Sequence, residues 1–188
     1  RFQIDSFNDL VAVVALYRPG PKDFIPEYAR RKRNPSSVSY PHPIVKKYTQ
    51  DTYAIVVYQE QVMQIFVEMA DLSPSDGYAF IKGSAKKDPK LFNSMKKMFI
   101  DGASKKVGPE IANKVFNYFQ PFCGYGFNKS HAVSYGYESY KTAYLKAHYP
   151  VEFMAARLSV ESQRSKFEMV EKYEKDCTEN FSVTILPV

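Results

Sequence analysis

Lys129, His131 and Tyr135 fall within one short run, GFNKSHAVSYGYE, and a helix starting near Ser130 sets His131, Tyr135 and Glu138 on one face beside Lys129. A cation, an imidazole and a phenol gathered at a helix N-terminus suit a phosphate group with a planar base stacked beside it. An ordinary solvated helix cap uses the same residue types, so both readings stand at the level of composition. On the same helix Ala132, Gly136, Ser139, Ala143 and Ala147 form a small-residue side, predicted to let another helix approach closely. Val133, Tyr137, Tyr140 and Tyr144 form a neighbouring stripe, predicted as core with its hydroxyls at the edge.

Other basic groups could share such a ligand. IKGSAKKDPK supplies Lys82, Lys86, Lys87 and Lys90, with Lys82, Lys86 and Lys90 on one helical side until Pro89 intervenes. The alternative is a solvated basic face. Arg18 is presented from YRPGP, a turn stiffened by two prolines around Gly20. Arg30, Arg31, Lys32 and Arg33 open the stretch ARRKRNPSSVSYPHPIVKK, predicted as a loop or arm because Pro35, Pro41 and Pro43 interrupt it, and are candidates for nucleic-acid phosphates. Gln59, Glu60 and Gln61 stand at a helix entrance, where bonding to backbone and catalysis are equally open readings.

Several chemistries lack their residues. His42, His131 and His148 have no nearby cysteine partners for a zinc site, and Cys123 and Cys177 suggest neither a metal nor a disulfide framework. No Asp-x-Asp pair is present to hold two metal ions, nor a Walker loop, a Gly-x-Ser-x-Gly elbow or a glycine-rich dinucleotide loop. The residues alone therefore point to a basic, helical module for nucleic acid or nucleotide, without a complete reaction centre.

The elements that must position these groups are mostly helices. The chain has 188 residues, 45% apolar, with a formal charge of +6 and 29 Phe and Tyr, enough for a sizeable core and suited to an acidic partner. Asn8 and Asp9 offer caps for FNDLVAVVAL, whose Leu10, Val13, Val14 and Ala15 share a face. YAIVVYQEQVMQIFVEMADL opens strand-like and turns helical at Val62, Ile65, Phe66 and Met69. Two helical pieces part at Asp88-Pro89, with Met95, Met98 and Phe99 as the buried stripe. Helices are predicted over 109–119, 131–148 and 150–159, then a charged amphipathic helix and an extended end. No apolar run reaches the length of a membrane span and no leader opens the chain, so a cytoplasmic protein with reduced thiols is expected.

ALYRPGP, YAIVVYQEQVMQI, GYGFNKSHAVSYGYESYKTAYLKAHYPVEFMAA and VTILPV follow in that order, with FQIDS before them. Together they cover nearly the whole chain, and the set resembles the bacterial C-family replicative DNA polymerases, the alpha subunit of polymerase III. The resemblance implies a fingers domain: mainly α, with many helices and a few short strands, following a palm that supplies three catalytic aspartates and their Mg²⁺. It implies residues 1–160 as the nucleotide-binding fingers and 161–188 as a helix and extended segment leading out. By motif, Lys129, His131 and Tyr135 would line the pocket for the incoming dNTP, with Lys82, Lys86 and Lys87 toward the triphosphate and Arg18 supporting the pocket or the palm junction. Template-primer DNA and the palm are the implied partners, with the sliding clamp and other replisome subunits reached through regions outside this chain. A stand-alone interaction module derived from the fingers is the alternative. Two departures stand out. Where the family carries LRRAMGKK, this chain has FIKGSAKK, so Ile81 and Lys82 replace a pair of arginines and the bidentate fork is lost. FQIDS also runs directly into FNDLVAVVAL, where the family has a further stretch.

Overall fold

The computed structural model describes residues 2–85, 89–122 and 124–186. Lys86 and Lys87 lie outside them. The chain is mainly α. Its helices are α1 (Phe7–Leu16), α2 (Ile25–Arg33), α3 (Pro43–Thr49), α4 (Gln59–Ala70), α5 (Pro74–Ala85), α6 (Pro89–Val107), α7 (Pro109–Phe119), α8 (Lys129–His148), α9 (Pro150–Gln163) and α10 (Phe167–Asn180). By contacts they divide into two compact units, 1–136 and 137–188, so that α8 starts in the first and continues into the second.

The first unit has two cores. One is a phenylalanine cluster: Phe66 of α4, Phe80 of α5, Phe99 of α6 and Phe116 and Phe119 of α7 are all buried, and Phe66 and Phe80 stack at 4.5 Å between ring centroids. The helical spacing of Val62, Ile65, Phe66 and Met69 puts all four on this side of α4. Gly102 lets α6 cross α4 closely, because a Cβ there would stand 2.2 Å from the carbonyl oxygen of Ala70. The other core joins α1, Tyr28 of α2, Ile55, Val57, Tyr58 and Ala132 of α8.

Several expectations are corrected here. The β-branched run expected as a strand belongs to no sheet: Ala54 sits in a turn at φ 58°, residues 55–58 are buried, and among the described residues the run's ladder is a single parallel bridge, Tyr58 to Phe127. Side chains replace the missing partner strand: Gln61 Oε1 accepts from the Val57 and Tyr58 N–H groups at 2.8 and 2.9 Å, and Arg31 donates to the Tyr53 and Ala54 carbonyls at 3.1 and 2.9 Å. ARRKR is the last part of α2, not a loop or arm, since the prolines that interrupt the stretch all follow Arg33. The cap of α1 is Ser6, which receives the Asp9 N–H while Asp9 accepts from the Ser6 N–H, and the buried face is Val11, Ala12, Ala15 and Leu16, about one residue out of phase with the predicted one. Met98 faces solvent while Met95 and Phe99 are buried.

In the second unit α9 packs on α10, burying Met154, Glu161 and Cys177. Lys146 pairs with Asp176 at 2.6 Å, and Arg157 reaches Glu161 and the Tyr173 hydroxyl. No helix among the described residues is long and apolar enough to cross a membrane.

Candidate nucleotide-binding site

The start of α8 is held from three directions. Asn128 Oδ1 accepts from the His131 N–H at 2.8 Å, as a helix cap does, and its amide nitrogen donates to Glu60 at 3.1 Å. Glu60, in the first turn of α4, also takes the Lys129 N–H on both carboxylate oxygens, at 3.0 and 3.1 Å. The Phe127 N–H and C=O pair with Val57 and Gln59, both at 3.0 Å, tying the residue before the cap to the buried extended segment.

Arg18 secures the preceding loop. Its guanidinium donates to the Ala15 carbonyl at 2.8 Å and to the Tyr125 carbonyl, and lies over the Phe127 ring at 4.7 Å. Partial burial lowers its pKa from the ordinary arginine value. Gly20 of the same RPGP turn has φ 93°, and a Cβ there would fall 2.7 Å from the Tyr125 ring, so glycine answers both the backbone and the close approach.

A column of rings runs from the second core to the surface, with Phe127 partly buried and His131 and Tyr135 exposed. Phe127, His131 and Tyr135 recur every fourth residue, with centroids 5.4 Å and then 4.6 Å apart, and Arg18 closes the inner end. Lys129 is exposed, with its ammonium 5.4 Å from the centre of the Tyr58 ring. Lys129, His131 and Tyr135 are therefore brought together at one exposed helix end. Lys82 is exposed on α5, over Tyr78 at 4.8 Å. Its helix ends against the loop before α8, where a Cβ on Gly124 would be 3.3 Å from the Ser84 carbonyl oxygen. Ile81, in contrast, is buried in the phenylalanine core.

The basic cluster on α2 is divided in its duties. Arg31 is turned inward to the 53–54 carbonyls, and Lys32 binds Asp9 at 2.8 Å and Asp5 at 2.9 Å. Burial raises the Asp9 carboxyl, but hydrogen bonds from Lys32, Ser6 and the Asp5 N–H outweigh it and hold the group below the usual carboxylate value. Arg30 is exposed and forks onto Glu27, and Arg33 donates to the Ala29 carbonyl at 3.2 Å. The Arg30 and Arg31 hydrogen bonds pull Glu27 down to about 2.

The rest of α8 corrects part of the sequence reading. Ala132 and Gly136 pack inward, and a Cβ on Gly136 would meet Val11 at 3.0 Å and Phe7 at 3.7 Å, so only the first two residues of the small side seat on α1. Ser139, Ala143 and Ala147 are exposed, as are Val133, Tyr137, Tyr140 and Tyr144, which were predicted as core. Glu60 and Phe127 join the start of α8 without a signal for Glu60 in the sequence; for Phe127 the spacing of four from His131 is the available signal.

Residues 1–107 match the family model described as the bacterial DNA polymerase III alpha subunit finger domain. This chain belongs to that family. DNA polymerase III subunit alpha of Borreliella burgdorferi is 45% identical over 158 residues, 84% of this chain and 14% of the relative. That of Aquifex aeolicus is 43% identical over 166 residues, 87% of the chain and 14% of the relative. That of Chlamydia trachomatis is 39% identical over 183 residues, 97% of the chain and again 14% of the relative. The chain thus spans about one seventh of the length of these polymerase subunits.

Proposed function

We propose that this chain acts as the fingers of a DNA-directed DNA polymerase, binding the incoming dNTP and the template-primer while carboxylates outside it carry the metal ions of nucleotidyl transfer. The observation that carries the reading is the exposed start of α8, a helix that Lys129 opens and whose first two turns carry the His131–Tyr135 ring pair. An ammonium there offers a point charge to a triphosphate, and the rings offer planar faces to a base or sugar. Lys82 on α5 is the second candidate for the triphosphate, and Lys86 and Lys87 extend the same sequence run. For the DNA backbone, exposed Arg30 and Arg33 on α2 are the candidates; Arg31 and Lys32 are committed to internal partners.

Mg²⁺ is typical of the family, but these residues do not fit it. Among the described residues no three His, Cys, Asp or Glu side chains come together to hold a metal ion. The role of this chain is to bind and orient, and in the reading proposed here a palm supplies the metal chemistry.

The test is Lys129→Ala in the polypeptide that carries this sequence. One triphosphate contact is lost while the many phosphate contacts to duplex remain, so KM for dNTP is expected to rise about tenfold or more, with DNA affinity changed less than about twofold. Equal losses in both would remove Lys129 from the pocket.

A further inference from the structure

We propose that Glu60 is a positioning residue for nucleotide binding, fixing the start of α8 so that Lys129 and His131 face the dNTP; this rests on the reading of the site given above. Glu60 is the second residue of α4, and its neighbour Gln61 is already committed to the Val57 and Tyr58 N–H groups. Two successive side chains of one helical turn thus hold two different segments. Gln61 holds the buried extended run, and Glu60 holds the end of a helix 69 residues further along the chain.

The geometry makes the coupling specific. Both Glu60 oxygens face the Lys129 N–H, at 3.0 and 3.1 Å, and one of them also receives the Asn128 amide at 3.1 Å. An amide has one donor end and one acceptor end, so Glu60 decides which way Asn128 points. With its nitrogen on Glu60, Asn128 turns its oxygen to the His131 N–H at 2.8 Å and to the Ser130 hydroxyl at 2.7 Å. One carboxylate thereby sets the backbone of the residue that bears the ammonium and, through Asn128, that of the residue that bears the imidazole.

A carboxylate beside a triphosphate pocket invites the opposite idea, that it repels nucleotide and lowers affinity. Its charge lies against the positive end of α8 and is spent on two donors, which reduces the field it presents to a ligand. The two effects have opposite signs on removal of the side chain, so experiment separates them.

The experiment uses the polypeptide that carries this sequence, with single-turnover incorporation measured against dNTP concentration and primer-template affinity measured in parallel. The variants are Glu60→Ala, Glu60→Gln, Lys129→Ala and the double variant Glu60→Ala/Lys129→Ala. Glu60→Ala is expected to raise the apparent Kd for dNTP about tenfold and to leave DNA affinity within about twofold. Glu60→Gln keeps an acceptor for the α8 end and should recover most of that loss. In the double variant the two losses should combine to clearly less than their product, because part of the Glu60 effect runs through the placement of Lys129 and only the part that runs through His131 remains once Lys129 is gone. Unchanged or tighter dNTP binding in Glu60→Ala, equal loss of DNA binding, no recovery by Gln, or additive losses in the double variant would each overturn the proposal. If Lys129→Ala itself leaves dNTP binding unchanged, the site reading fails first; if it weakens dNTP binding and Glu60→Ala does not, only the role of Glu60 fails.

Discussion

Lys82 carries a question that belongs to single residues. A lysine ammonium is a compact point charge that satisfies one phosphate oxygen, whereas an arginine bridges two with fixed geometry. Among the described residues no acid pairs with Lys82, whose ammonium rests over the Tyr78 ring at 4.8 Å, so its reach to a ligand costs a modest cation–π contact. If it binds the triphosphate, Lys82→Ala should impair dNTP use by about 1.5–3 kcal/mol, the range for a charge-assisted hydrogen bond. Lys82→Arg should then match or exceed the parent. Single-turnover dNTP titrations of both variants check this, and an unchanged Ala variant would assign Lys82 to the solvated surface. Its neighbour Ile81 is drawn into the phenylalanine core.

Among the elements, α4 does the most positioning, since its first turn holds the 54–58 run through Gln61 and the start of α8 through Glu60. Gln61→Leu keeps the apolar bulk but orphans two buried N–H groups at about 1–3 kcal/mol each, and loses the bonds from its amide to Tyr48 and Thr52. A fall of several degrees in Tm on thermal unfolding of the chain is expected, and a midpoint within a degree of the parent would show that the run is held otherwise. Helical periodicity made α4 and α7 legible in the sequence, because a buried face repeats every three to four residues; α8 was legible as a helix, but only Ala132 and Gly136 of it are buried. Residues 54–58 read as a strand for a sound reason, their β-branched burial, yet periodicity is silent on what satisfies the backbone. Glutamine and arginine side chains do it here. The tyrosines of α8 misled in the other direction: size and spacing suggested a core, but Tyr137, Tyr140 and Tyr144 are about half exposed. For the candidate site, helical spacing made the grouping of Lys129, His131 and Tyr135 at one helix end legible, while the contact of Glu60 was not, since it spans two helices distant in sequence.

Across the whole chain the charge is unevenly placed. Residues 137–188 hold seven Lys and Arg against eight Asp and Glu, so the positive excess lies entirely in residues 1–136, the unit that also carries the start of α8. Binding of polyanions through this chain therefore belongs electrostatically to that unit. The most direct measurement is a lysine footprint: amine acylation of the polypeptide carrying this sequence, bound to primer-template, with and without the correct dNTP, read by peptide mass spectrometry. Lys175 serves as an internal standard, since its side chain is 72% exposed in the other unit. At a dNTP concentration ten times Kd, acylation of Lys129 is expected to slow about tenfold while Lys175 reacts at an unchanged rate. Lys129 reacting equally fast with and without dNTP would contradict the placement of the nucleotide at the start of α8.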